Sequence, residues 1–524
     1  MTEAPERTDF QLASPEDAKA PWMWDAMHCP RPLPPLAGDG WLRWCATGIG
    51  MRAQMVNGYC YLSFAGGGPG MGAGVPVAPD GLSPLEAWEQ HYLPPVVSFV
   101  TAIYRRDFDA LSAREIPAGL RAVVDGSGAA FARTMAALGP VIPPMTAFVR
   151  FCESAFGSDG ALRAMTMLQG FDNASADAGA GLGRLGAMAV ARPGVRDAIL
   201  AGDQAALSSA EGGAEFLDEL SRYLDDFGTG TQTWFEIHRP TWREDPSVPL
   251  RLIARYLQGG GSPAGAHGHA AETRETAVRA AESELGSGAR LDEFRGLLAG
   301  AGDYVAVIEG RARWQLATAA TVRRPAIALG AKLVASGDLD APDDVFFLHL
   351  AEIEGYGSGT GGLPGREEIA RRKANFAAWQ ALLPPRFLGL PVPEGVLASI
   401  PELKQLTGLG VLASTEPGII RGNGSSRGVV RARARVVLDL DDAERVEPGD
   451  VLVCPFTAPP WTPYFAVAAA VVTDAGGVLS HAAIAAREYG IPCVTGTRDG
   501  TRRIPDGAMV TVDGSEGIVR IDEV

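Results

Sequence analysis

His481 is the residue in this chain best placed to do covalent chemistry. It stands in the run Thr473-Asp474-Ala475-Gly476-Gly477-Val478-Leu479-Ser480-His481-Ala482-Ala483-Ile484-Ala485-Ala486-Arg487-Glu488-Tyr489-Gly490-Ile491-Pro492. Imidazole has a pKa near about 6.5, so at neutral pH its free base is a competent nucleophile. The apolar residues 469–472 predict a buried strand, and the two glycines a turn. The small side chains from His481 onward predict a helix that Gly490 caps and Pro492 prevents from continuing. A histidine at a helix start faces unpaired backbone N–H groups and the positive end of the dipole, which both stabilise a phosphoryl group on the ring. The chemistry implied is transient covalent storage of a phosphoryl group. A lone histidine would more readily be a packed core residue; the whole motif around it is what points to phosphoryl storage.

Around it, Gly476, Gly477, Ser480, Arg487 and Thr457 are candidate phosphoryl contacts. Ser480 is placed to cap the helix or orient the ring. Arg487, six residues on, lies off the face of His481 and is either a packing arginine or a phosphate contact. Thr457 and Thr462 flank the proline-rich Ala458-Pro459-Pro460-Trp461 and can hydrogen-bond a phosphoryl group. Elsewhere, His28, His238, His267 and His269 are candidate acid/base or substrate-contact groups. His267-Gly268-His269 has no third ligand at recognisable spacing and reads as a mobile loop, so no metal site is expected. Gly66–Gly72 lacks a following Gly-Lys-Ser/Thr and reads as a plain loop.

The elements that must hold these residues differ along the chain. Residues 1–20 read as a disordered tail. Residues 21–383 are rich in Ala, Leu and Arg at helical spacing, as in 119–138, 161–168, 214–227, 273–285 and 304–333. Glycine-rich stretches at 65–74, 259–268 and 357–365 read as loops. Six prolines between 384 and 417 mark a linker of restricted flexibility. In 418–524 short strands appear. Residues 430–437 alternate Arg431, Arg433 and Arg435 with Ala432, Ala434 and Val436, 450–454 reads as a second strand, and Asp513-Gly514 is a turn between two more strands.

With 524 residues, 46% hydrophobic and 21% charged, the chain can bury several large cores. A formal net charge of −16 argues against non-specific nucleic-acid binding, which needs a basic surface. The 6 cysteines show no zinc spacing and read as reduced cytosolic thiols. The polar N-terminus has no secretory apolar core, and no run reaches the length of a membrane span. The expectation is a cytoplasmic protein without membrane or nucleic-acid partners.

The His481 motif resembles that of the swivelling phosphohistidine domain of the PEP-utilising enzymes, in order and spacing. Gly449-Asp450-Val451-Leu452-Val453 and Thr457-Ala458-Pro459-Pro460-Trp461-Thr462-Pro463 resemble the same domain in its rifampin phosphotransferase branch. Trp24-Asp25-Ala26-Met27-His28-Cys29-Pro30-Arg31-Pro32, Arg239-Pro240-Thr241-Trp242-Arg243-Glu244 and 342–348 are similar to that branch's substrate domain. The resemblance implies a multidomain α+β fold: a large, mainly α-helical substrate domain followed by a β/α swivelling phosphohistidine domain. It draws Arg31, Trp234, Glu236 and Arg239 into the set of substrate-domain candidates. In Gln232-Thr233-Trp234-Phe235-Glu236, Trp234 stands where the family commonly has an acid, which implies a more aromatic acceptor pocket.

Family members that load the histidine from ATP carry an ATP-grasp domain ahead of the substrate domain, and those using phosphoenolpyruvate carry a barrel after the swivelling domain. This chain shows neither, so a separate ATP-grasp subunit holding ATP and Mg²⁺ is expected as a partner. That organisation resembles phenylphosphate synthase and the 4-cresol phosphorylating enzymes. It implies a phenol-type acceptor, whose hydroxyl ionises near a pKa of about 10. A rifamycin-type acceptor and a non-catalytic binding protein retaining the fold are the alternatives.

Overall fold

A computed structural model describes residues 10–63, 74–231, 233–258, 263–391 and 416–523. Helices dominate up to residue 379. Those that build the site are α1 (Pro35–Trp44), α2 (Leu93–Arg105), α3 (Ile116–Ala136), α4 (Leu138–Phe156), α5 (Ala174–Val190), α6 (Gly213–Phe227), α7 (Pro263–Leu285) and α8 (Asp303–Ser336). Each buries a stripe at helical spacing, such as Leu120, Val123, Val124, Phe131 and Met135 on α3. Helix α8 has 34 residues, about 51 Å at 1.5 Å per residue. It is buried at intervals from Tyr304 to Leu333 and so forms the spine of this part.

Four short antiparallel strands flank the helices in the order β2-β3-β1-β4: β1 (Pro21–Trp24), β2 (Arg52–Val56), β3 (Tyr59–Ser63) and β4 (Phe387–Gly389). They correct two expectations. The stretch expected to be tail is ordered from residue 10, because Phe10 packs its ring 5.9 Å from Tyr59 and the Asp17 carbonyl accepts Trp22 Nε1 at 2.8 Å. The start of the expected linker is a strand, since β4 pairs with β1 and Tyr61 donates its hydroxyl to the Pro385 carbonyl at 2.7 Å. The rest of that linker (392–415), residues 1–9 and the Gly66–Gly72 loop lie outside the described residues.

Two further expectations change. The glycine-rich 259–268 stretch is helical from Pro263, where proline suits a first helical turn, so His267 and His269 ride on α7 and not on a loop. Helices α3 and α4 follow one another so closely that Ile116–Phe156 is long and apolar enough, by length and composition, to cross a membrane. Here its apolar side chains, among them Phe131, Met145 and Phe148, are buried in the helical core.

From residue 419 onward the chain forms an eight-stranded sheet of order β5-β12-β11-β7-β8-β9-β10-β6. Its strands are β5 (Ile419–Arg421), β6 (Asn423–Ser426), β7 (Val429–Val436), β8 (Val451–Cys454), β9 (Ala470–Thr473), β10 (Cys493–Thr495), β11 (Met509–Asp513) and β12 (Ile518–Glu523). Strands β7, β8, β9 and β10 run parallel, and α9 (His481–Tyr489) is the crossover from β9 to β10. Parallel pairing requires such a crossover. It places the start of α9 beyond the carboxyl end of β9, where open α/β sheets bind ligands.

The two parts share cores. Leu479 and Ile484 belong to the main helical cluster, while Phe456, Trp461, Tyr464, Ala482 and Ala486 pack with Leu182, Phe216, Trp234, Trp242 and Leu316. The helix carrying His481 is thus pressed against the helical part.

Candidate active site around His481

Helix α9 forms as its sequence dictates. Ser480 takes the extended N-cap conformation, the Ile484 amide bonds to its carbonyl at 3.0 Å, and Gly490 closes the helix at φ 66. His481 is the first helical residue. Its own amide and those of the next two residues have no partner within the helix.

His481 is only 8% exposed. Its Nδ1 lies 2.9 Å from Oε2 of Glu309, and its Nε2 lies 3.0 Å from the Thr462 hydroxyl. With the carboxylate ionised and the ring neutral, this arrangement puts the ring proton on Nδ1 and leaves the Nε2 lone pair to accept from the Thr462 hydroxyl. Glu309 comes from α8, is fully buried, and takes a second hydrogen bond on the same oxygen from Ser175 in the first turn of α5. Asn173 caps that turn by accepting from the Ser175 and Ala176 amides at 3.1 and 2.9 Å. The N-terminus of α5 therefore faces a buried carboxylate that needs positive potential. The other oxygen, Oε1, is buried without a hydrogen-bond partner.

The loop before His481 is held from both sides. Asp474 bonds the Thr501 amide and the Thr497 hydroxyl at 3.0 and 3.1 Å, and burial pushes its carboxyl up to about 6. Tyr304, one turn before Glu309, donates to the Leu479 carbonyl at 3.1 Å. Gly476 has φ 105, and a Cβ there would meet the Ser480 hydroxyl at 2.9 Å. Only glycine suits that position.

Ser480 caps with its backbone alone. Its hydroxyl is buried and unpaired, as is that of Thr457. The adjoining loops are tied by the Ala475 amide on the Pro455 carbonyl at 2.9 Å. Buried hydroxyls without partners are rare, and near a helix N-terminus they are the donors that a phosphoryl group would take up. Gly477 supplies the carbonyl for the Ser480 amide at 3.0 Å. Arg487 has a packing role in this arrangement. Burial lowers its pKa, and its guanidinium clamps the carbonyls of Ser425 and Val478 at 2.8 and 3.0 Å.

The substrate-domain candidates gather elsewhere. Arg31 bridges Glu236 at 2.7 Å and pairs with Asp439 of the terminal part, and Arg239 also bonds Asp439, at 3.0 Å. Burial alone would raise the Glu236 carboxyl, but Arg31 and Arg239 outweigh it and hold it at about 2. His28 bonds Asp25 at 2.9 Å and packs between Trp41 and Trp234. His238 is pushed down to about 3 by burial and packs on Phe376. Arg31, Glu236 and Arg239 thus form an ion-paired seam with Asp439 of the terminal part, Trp234 lies in the shared core, and His28 and His238 pack within the helical part.

His267 lies closer to α9, the helix that begins at His481. Its two nitrogens sit 3.3 Å from Glu488 and 3.3 Å from Asp172, and it shares a crevice of about 20 Å³ with Ser175, Glu309 and Thr462. His269 is exposed. Among the described residues no group of three or more His, Cys, Asp or Glu side chains is arranged to hold a metal ion.

Sequence reasoning did not find Glu309 or Ser175. The one available signal was a lone acid in the otherwise apolar stretch from Tyr304 to Ile308, and nothing in it points 172 positions ahead.

Comparison with known proteins agrees with this geometry. Residues 446–517 match the PEP-utilising enzyme mobile domain and residues 133–309 match the rifampicin phosphotransferase fourth domain, so His481 lies in one matched segment and Glu309 ends the other. A rifampicin phosphotransferase of Streptomyces sviceus is 33% identical over 60% of this chain and 35% of its own length. An uncharacterized phosphotransferase, YvkC of Bacillus subtilis, is 30% identical over 61% of the chain and 38% of its own length. The chondramide synthase cmdD of Chondromyces crocatus is 28% identical over 97% of the chain and 14% of its own length. The chain thus spans between about a seventh and two fifths of these relatives. It carries a segment that matches the PEP-utilising enzyme mobile domain behind one that matches the rifampicin phosphotransferase fourth domain.

Proposed function

We propose that this chain is the histidine-bearing subunit of an ATP-dependent phosphotransferase, relaying a phosphoryl group through His481 to the hydroxyl of a phenol-type aromatic acceptor. The observation that carries the relay is the Glu309–His481–Thr462 line. Glu309 holds the proton on Nδ1, which leaves the Nε2 lone pair to attack a phosphorus of the donor nucleotide. The P–N bond forms as the P–O bond to the rest of the nucleotide breaks, its electron pair leaving on that oxygen, and the ring becomes cationic beside the Glu309 carboxylate. In the second half-reaction the acceptor oxygen attacks, the P–N bond breaks with its electron pair returning to Nε2, and the acceptor's proton ends on Nε2. The ring is therefore cationic both while it holds the phosphoryl group and after it takes the acceptor's proton, and the Glu309 carboxylate is its counter-charge in both states.

In this arrangement His481 is covered, so loading it from a donor requires the terminal part to move away from α8. The donor, ATP with Mg²⁺ on a separate ATP-grasp subunit, is carried by the sequence resemblance and belongs to the same proposal. A rifamycin-type acceptor is the second reading. The match of residues 133–309 to the rifampicin phosphotransferase fourth domain favours it.

The test is transfer from β- or γ-labelled ATP to the chain, with and without an ATP-grasp partner, in wild type and His481→Ala. Acid-labile label that needs both the partner and His481, and that passes to 4-cresol, is the expected result. Label that passes only to a rifamycin selects the second reading. No label under any condition leaves the chain a binding protein.

A further inference from the structure

Beside the His481 site, α2, α5, α6 and α8 enclose a cavity of about 620 Å³, with the 459–463 segment of the terminal part as one wall. Tyr104, Phe227 and Trp314 line it and are each half-buried, so their rings keep accessible surface. Arg313 lines it as well, with its guanidinium 4.6 and 5.5 Å from the ring centres of Phe227 and Trp314.

Arg313 is a half-buried cation without a contact anion among the described residues. Its Nη2 donates to the Asp226 backbone carbonyl at 2.6 Å. Its Nε and Nη1 have no hydrogen-bond partner and keep accessible surface, in contrast to the buried Nε of Arg311 two residues earlier. The lining carboxylates do not neutralise it: Asp225 pairs with Arg243 at 2.6 Å, and Asp226 is exposed and offers only its carbonyl. Burial lowers the Arg313 pKa, and Asp226 and Asp177 oppose that from a distance. A ligand carboxylate offsets such a cost, because it matches the guanidinium fork in both charge and shape.

Arg313 and Glu309 are four positions apart on α8, one turn and about 6 Å along its axis, so they share a face. Glu309 is the carboxylate that bonds Nδ1 of His481. The cavity itself reaches that neighbourhood. Ser175 lines it and bonds Glu309, and Pro463 lines it and follows Thr462, which bonds Nε2. A benzene ring with substituents at opposite ends spans a similar length.

We infer that this cavity is the acceptor site and that the acceptor is an aromatic hydroxy acid. Its carboxylate sits on Arg313, its ring among Tyr104, Phe227 and Trp314, and its hydroxyl at the Ser175 and Pro463 end. The identity of the reacting hydroxyl rests on the phosphoryl relay proposed above, while the carboxylate and the ring rest on the cavity. The hydroxyl oxygen takes the phosphoryl group from Nε2, the P–N bond breaks, and the hydroxyl proton passes to that nitrogen. A plain phenol such as 4-cresol enters the same site without the anchoring charge.

4-Hydroxybenzoate and 4-cresol share ring and hydroxyl and differ in the carboxylate, so they are the probes. Calorimetric titration of the full chain should show 4-hydroxybenzoate binding at least about ten-fold tighter, the order of one charge-assisted pair. Added salt should narrow the difference. Arg313→Met keeps an apolar stem against Phe227 and removes the charge. It should bring 4-hydroxybenzoate down to the affinity of 4-cresol and leave 4-cresol unchanged. Arg313→Lys keeps the charge without the fork and should give an intermediate preference. It decides the matter should the methionine variant not fold, since an unchanged preference in it contradicts the assigned pair. Trp314→Ala should weaken both ligands.

Binding of neither probe to the wild type, equal affinity for the two, or a preference that survives Arg313→Met would overturn the assignment. The two proposals fail separately. A preference for 4-hydroxybenzoate that depends on Arg313, with no label on His481, removes the relay and keeps the site. Labelling of His481 with transfer to both probes alike, indifferent to Arg313→Met, removes the site and keeps the relay.

Discussion

Glu309 and His481 are 172 positions apart in the chain and 2.9 Å apart in the fold. In the proposed relay this contact decides which imidazole nitrogen is free to take a phosphoryl group. It also joins the two parts of the molecule at the reacting atom, because α8 supplies the carboxylate and the terminal sheet supplies the ring.

Replacing Glu309 with Gln keeps the shape of the side chain and removes its charge. The ring then loses its fixed tautomer and the counter-charge for the departing imidazolium. Phosphorylation of His481 should slow by on the order of 100-fold, as for loss of a positioned acid/base partner. Nitrogen-15 spectra should show the Nδ1–H tautomer giving way to a mixture, which a merely structural role for Glu309 would not produce. An unchanged tautomer with an unchanged rate would contradict the assigned role.

Arg487 should matter for stability more than for chemistry. Arg487→Met removes the donor to the Ser425 and Val478 carbonyls and leaves both without it in a buried place. The expected cost is about 3 kcal/mol, the sum of two unsatisfied buried acceptors. Chemical denaturation of the full chain followed by its intrinsic tryptophan fluorescence measures it. A change below about 0.5 kcal/mol, the range of ordinary surface substitutions, would mean that the clamp is not made in solution.

The two glycines of the loop should behave differently. Gly476→Ala forces a Cβ onto a residue at φ 105 and against the Ser480 hydroxyl at 2.9 Å. It should cost about 1–3 kcal/mol and slow phosphorylation by displacing the start of α9. Gly477 is not among the positive-φ residues, so Gly477→Ala should cost less than about 1 kcal/mol. Equal effects at the two positions would remove the conformational argument.

His267 should titrate above the ordinary histidine value, because its hydrogen bond to Glu488 outweighs the opposing effect of burial, with Asp172 adding to it. A raised pKa means that the charged ring is favoured in the fold. Its contribution to holding α7 against α9 is therefore fully present below the free value of about 6.5 and is lost as pH rises through the raised one. Proton NMR of the His267 ring reads this directly, and Glu488→Gln should bring the midpoint down. A midpoint at or below the free value would show that the contact does not persist in solution.

The sequence by itself determined the local chemistry: a nucleophilic ring at the start of a short helix, a glycine turn before it and a capping glycine after it. These follow from periodicity, φ preferences and capping, which act over a few residues. The alternating strand at 429–436 and the helical spacing of 116–136 and 303–336 were legible for the same reason. The ordered stretch at 10–20 and strand β4 were not, because an edge strand exists only where another strand pairs with it.

Tertiary structure decided what the ring touches. Glu309 and Ser175 become partners of His481 only when α5, α8 and α9 converge, and a buried acid in an apolar helix carries no label for its distant partner. Tertiary structure also redirected Arg31, Glu236 and Arg239 into an ion-paired seam with Asp439 and made Arg487 a clamp on two carbonyls. Charge is long-ranged in a poorly polarisable interior, so such groups are assigned by the company that packing brings to them, and a linear sequence does not contain that company.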